Sequence, residues 1–135
     1  MKHLIIISIL LSINFVSNAQ KKALLKDNEI KSITVYESKN GSNEDETIES
    51  FTLFDKKGNV IEEKEYSSDG KFKKHFIYEY DENSNKIKEI ETDEDGKLLQ
   101  TIIYKYDGDL KTEKIVYDNK NKIIHKKRYL YSKFN

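Results

Sequence analysis

The chain has 135 residues, 36% of them charged and 36% hydrophobic, with 24 basic side chains balanced by 24 acidic ones. With that balance, neither nucleic acid nor an anionic membrane is the implied partner. With no cysteine and no proline, a disulfide framework is excluded too, and stability must come from packing and strand pairing.

In chain order, Lys2 and His3 precede an almost uninterrupted apolar run from Leu4 to Val16, and Ser17 and Ala19 then supply the small side chains that precede a signal-peptidase cut. The run has the length of a signal-peptide core and is short for a permanent membrane span. The expected organisation is a cleaved signal peptide over residues 1–19, a short N-terminal segment over 20–29 and a β-repeat domain over 30–135. Its destination is then the periplasm or the outside of the cell. Without residues 1–19 the chain carries 23 basic against 24 acidic side chains, so no membrane insertion is expected after cleavage. Ala23, Leu24 and Leu25 give residues 21–29 some helical character, over too short a stretch to assign.

The rest of the chain repeats. Phe54-Asp55, Tyr80-Asp81 and Tyr106-Asp107 recur at intervals of 26 residues. A second landmark follows each: Asp69-Gly70-Lys71-Phe72, then Asp95-Gly96-Lys97-Leu98, then Lys120-Asn121-Lys122-Ile123, at intervals of 26 and 25. The missing residue falls at Asp107-Gly108-Asp109. Asp and Asn bond to their own backbone, and glycine accepts positive φ, so both landmarks read as hairpin turns. Two turns per unit leave two strands per unit, predicted near 30–37, 47–55, 59–67, 71–81, 85–93, 97–107, 109–118 and 122–132. Phe72, Phe76, Tyr78 and Tyr80 alternate with polar residues, as do Leu98, Ile102, Tyr104 and Tyr106. Period two of this kind predicts an all-β fold, an antiparallel meander of about eight strands forming an open or curled single sheet with one aromatic face. The last strand carries Ile123, Tyr129 and Tyr131 in the same phase.

Tyr78-Glu79-Tyr80-Asp81-Glu82-Asn83-Ser84-Asn85-Lys86-Ile87 resembles a YD repeat of the RHS type, whose core is Tyr-x-Tyr-Asp-x-x-Gly-Asn/Arg-Leu/Ile. Phe54 to Ile61 and Tyr104 to Leu110 are similar, degenerate copies. Ser84 stands where that pattern has glycine, and the units are longer than is usual there. The resemblance implies a short secreted protein made of antiparallel YD-like hairpins, not the encapsulating shell that long RHS arrays build.

No residue pattern points to catalysis. His75 and His125 lack the spacing of a zinc site, and read as solvated strand residues. Asp81-x-Asn83-x-Asn85 alternates oxygen ligands as a calcium loop does, but Lys86 occupies the glycine position and Thr92 the acidic twelfth position. Glu62, Glu63, Glu65, Glu89 and Glu91 are interleaved with Lys64 and Lys88, which favours cross-strand ion pairs over an acid/base couple. The expectation is therefore a non-enzymatic protein with no cofactor and no metal, acting through binding or as a structural component of the envelope. Its candidate binding face is Tyr78, Tyr80, Tyr104, Tyr106, Tyr129 and Tyr131, rings that either stack on a protein or glycan partner or serve as core. The alternative is a small lipocalin- or avidin-like barrel around an apolar ligand, in which the first and last strands pair. His125, Lys126, Lys127 and Arg128 make the last strand basic, which resists pairing with other copies and predicts a monomer.

Overall fold

A computed structural model describes residues 17–134; the apolar run Leu4 to Val16 that carries the export expectation lies outside them. A helix, α1 (Asn18–Asp27), precedes eight strands: β1 (Ser32–Glu37), β2 (Thr47–Phe54), β3 (Val60–Tyr66), β4 (Phe72–Tyr80), β5 (Lys86–Thr92), β6 (Leu98–Asp107), β7 (Leu110–Asp118) and β8 (Ile123–Arg128). A single turn of 3₁₀ helix (Asn43–Asp45) lies between β1 and β2. The strands form one antiparallel sheet in the order of the chain, β1 to β8. β1 and β8 lie at opposite ends of that order and do not pair, so the closed-barrel alternative is overturned. A barrel needs a sheet with no edges, and this one has two.

The turns explain the period. At Asp55, Ser67, Asp81, Asp93 and Asp118 the same bonds recur: the amide of the first residue donates to the carbonyl four residues on, and the amide three residues on donates back. The fourth residue of each turn has positive φ: Gly58, Gly70, Ser84, Gly96 and Asn121. This is the three-residue hairpin loop built on a tight turn and a left-handed residue. Ser84 holds that left-handed position at φ 65, so the departure from glycine leaves the turn intact. The sixth turn differs. Asp107 pairs directly with Leu110, leaving a two-residue loop that starts with Gly108 at φ 57, which is where the 25-residue interval arises.

Each hairpin also carries a β-bulge close to its turn. Ile61, Ile87 and Thr112 are the unpaired residues at one end of the sheet, and Glu49, Lys73, Leu99 and Ile124 at the other. Bulges increase local twist and re-aim the side chains beyond them.

The core is thin. Leu25, Phe54, Ile102, Ile115 and Val116 are the buried apolar residues, and among the described residues no side chain is wholly buried. Ile102 and Val116 pair on the tyrosine face, while Ile77 pairs with Ile90 and Ile103 with Ile115 on the reverse. Both faces thus hold apolar rows, and the sheet is not strictly one-sided. α1 closes the N-terminal end of the row of turns. Its Lys22 carbonyl lies where a Cβ on Gly58 would meet it at 2.7 Å, so glycine is needed at 58 for close approach as well as for φ. Leu25 and Phe54 line one cleft beneath the helix and are each 6% exposed.

Candidate functional site: a tyrosine and lysine ladder

The six tyrosines come from the ends of β4 and β6 and from the segment at and beyond the end of β8, and share one face and one end of the sheet. The second tyrosine of each pair does the same task in each unit. Tyr80 donates its hydroxyl to the Val60 carbonyl at 2.7 Å, Tyr106 to the Lys86 carbonyl at 2.9 Å and Tyr131 to the Lys111 carbonyl at 2.8 Å. Each bond spans 20 residues and ties a strand to the start of the strand before it. Phe54 takes this position in the first unit, where α1 covers it.

In the first two pairs the leading tyrosine reaches a carboxylate. Tyr78 donates to Glu63 at 2.5 Å and Tyr104 to Glu89 at 3.4 Å. The same step from Tyr129 arrives at Lys114, so the third unit has a cation where the others have an acid. Burial, then the Glu63 hydrogen bond and charge, pushes the Tyr78 phenol far up. Burial, with Glu89 next, raises Tyr104 to about 12, and burial, with Asp55 next, raises Tyr80 to about 12. These hydroxyls stay protonated donors at any physiological pH.

Between the tyrosines stand lysines that alternation alone misplaces. The bulge at Ile87 lets Lys86 pair with Tyr80, on the same face as Glu89, which it meets at 3.1 Å. Its Nζ lies 4.4 Å from the Tyr78 ring centre and 5.9 Å from that of Tyr104. The bulge at Thr112 does the same for Lys111, 4.6 Å from Tyr104 and 6.0 Å from Tyr106. Lys114, opposite Tyr104, adds a third cation at 5.9 Å. Such contacts contribute about 0.5–1 kcal/mol each where water reaches them. Neither Lys111 nor Lys114 forms an ion pair among the described residues. The face is thus carboxylate-rich at Tyr78 and cationic from Tyr104 onward.

The remaining candidates of the sequence reading fall elsewhere. His75 lies on the reverse face, its Nε2 2.9 Å from Glu62 Oε1, which Lys64 also meets at 3.0 Å. His125 is on the tyrosine face opposite Val116, so the two histidines are not brought together. Glu91, 7% exposed, is held by Lys74 at 2.5 Å and Gln100 at 2.6 Å. Asp81 takes both the backbone and the side-chain amide of Asn85, which uses its carboxylate within the turn. The turns also join to one another, Asn59 to Ser84 at 3.3 Å and Asn85 to Asp109 at 3.3 Å.

Lys86, Lys111 and Lys114 are the members of the ladder that sequence reasoning missed. The signal was present in part: 86 and 111 are equivalent positions of successive units, one turn after the Tyr-Asp pair. The bulges that turn them onto the tyrosine face leave no mark in a period-two pattern.

The class defined by this fold is a single-layer antiparallel meander of two-strand repeats. No family model matches the chain, and no curated protein shows significant similarity to it.

Proposed function

We propose that the chain is an exported, non-catalytic β-repeat protein of YD-like hairpins, acting in the periplasm or outside the cell by binding an acidic glycan on its tyrosine face. The observation that carries this reading is Tyr104, flanked by Lys86, Lys111 and Lys114 on a single-layer sheet that, among the described residues, has no second sheet packed on that face. Aromatic planes stack on sugar rings and buried phenols fix their orientation. Lys111 and Lys114, which form no ion pair among the described residues, supply the cations a uronate or sulfate would recruit. Tyr78, Tyr80, Tyr104, Tyr106 and Tyr131 are also partly structural, because their hydroxyls tie neighbouring strands together.

The test is calorimetric titration of the purified protein with oligogalacturonate and with a neutral cello-oligosaccharide of equal length. The acidic oligomer should bind and lose affinity with added salt, and Lys111→Gln with Lys114→Gln should remove binding while the fold persists. Equal affinity for both oligomers, or binding of an acidic peptide to the exclusion of both, would remove the glycan assignment.

A further inference from the structure

Both edges of the sheet are free. Among the described residues no strand pairs with the outer edge of β1 or of β8. All six residues of β8 are exposed, and just beyond it Leu130 is 82% exposed. On β1, Tyr36 is 59% exposed. Open edges of this kind template pairing unless something opposes it. The basic residues of β8 oppose a meeting of β8 with another β8. They do not oppose a meeting of β8 with β1.

The two ends differ in charge. Residues 37–69 contain ten acidic and four basic side chains, whereas residues 111–133 contain eight basic and two acidic. The ends also differ in repeat phase. β8 is the first strand of a hairpin whose second strand is missing, and β1 is a second strand whose first is missing. Val35 pairs with Ser50 as Glu63 pairs with Phe76 and Glu89 with Ile102, which identifies β1 as the counterpart of β3 and β5.

From these observations we infer that copies of this chain associate head to tail, the β8 edge of one adding antiparallel to the β1 edge of the next and continuing the meander. The register follows from the internal pairs. Phe76 lies opposite Glu91 and Ile102 opposite Val116, while Tyr78 lies opposite Glu89 and Tyr104 opposite Lys114. Applied to β8 and the incoming β1, the same register sets Lys127 opposite Glu37, Arg128 opposite Tyr36 and Tyr129 opposite Val35. Lys127 has only Lys114 as its cross-strand neighbour within its own chain, a like-charge pair that is unfavourable alone and that Glu37 of the next copy relieves. The acidic stretch Glu44, Asp45, Glu46 follows β1, and the Lys120 and Lys122 turn precedes β8, so these also fall at the same end of the joined sheet. Such an interface is heterologous and does not close, which gives open rows rather than a defined dimer.

The test uses the full chain, expressed from Met1 and purified as the cell processes it, in sedimentation velocity over a concentration series at low and high salt. Association should grow with concentration beyond a dimer and weaken by about tenfold or more in high salt. Glu37→Lys alone and Lys127→Glu alone should each abolish it, and an equimolar mixture of the two variants should restore it, since each then offers the other a complementary edge. A protein that stays monomeric across the series would overturn the inference. So would association that survives either single variant, or a mixture that stays dissociated while both variants retain the parent far-ultraviolet spectrum.

Discussion

Removing one oxygen atom from Tyr80 tests whether the repeated hydroxyl bond holds the units together. In Tyr80→Phe the ring remains and the Val60 carbonyl loses a donor at 2.7 Å. A neutral hydrogen bond contributes about 1 kcal/mol net, and the acceptor here is a part-buried carbonyl whose replacement by water is hindered. At an unfolding entropy of about 2 cal/mol/K per residue, a domain of this size should lose about 4 °C in Tm. Tyr106→Phe, with its bond at 2.9 Å, should cost the same. Tyr131→Phe should cost much less, because Tyr131 is 54% exposed and water can take over its carbonyl. Urea denaturation followed by circular dichroism measures all three, with unchanged m values as the sign that only stability has moved. Equal losses in all three variants, or none at Tyr80 and Tyr106, would refute the claim that these bonds act as repeat-to-repeat ties.

Two further outcomes are expected. Gly58→Ala and Gly96→Ala both place a side chain at φ near 77, a strain of about 1–2 kcal/mol, but only Gly58→Ala also strikes the Lys22 carbonyl. Gly58→Ala should therefore be the more destabilising of the two and should lose amide protection in α1, as hydrogen exchange would show, whereas Gly96→Ala should leave α1 unchanged. Acid should weaken the fold over a defined window. Backbone and side-chain bonds from Asn85 hold Asp81 below the ordinary carboxylate range, the Lys122 amide does so for Asp118, and Ser67 and Lys71 hold Asp69 at about 2. The folded state then binds fewer protons than the unfolded one, so this stability is complete above about pH 5 and is lost as pH falls toward 2. Urea midpoints should be flat from pH 7 to 5 and drop below 4.5, with a shallower drop in Asp81→Asn.

Much of the fold was legible in the sequence because turn chemistry and strand alternation agreed in three successive units. Asp55, Asp81 and Gly96 marked turns that the structure places where expected, and strand ends fall within four residues of the predicted ones. The gap at Asp107 was legible as a missing residue, and its physical form is a two-residue loop. Three features were not legible. In the full chain α1 starts from a Ser17–Gln20 capping box, which the expected cut after Ala19 removes, and it otherwise rests on docking over Gly58, a tertiary contact. The bulges at Ile87 and Thr112 follow from how neighbouring strands fit, so Lys86 and Lys111 could not be placed on the tyrosine face by counting. The reverse face also carries isoleucines at odd positions, Ile77 and Ile103, which the aromatic pattern obscured.

Residue-resolved hydrogen exchange on dilute protein in high salt tests the architecture most directly, because those conditions remove contacts between copies and leave the single sheet. An open meander requires slow exchange in β4 to β7, with β1 and the amides of Ile123 to Arg128 exchanging fast at their outer edges. Protection of β1 and β8 equal to that of β5 would mean that the ends meet, and would contradict the open sheet on which the ladder, its lysines and the free edges all depend.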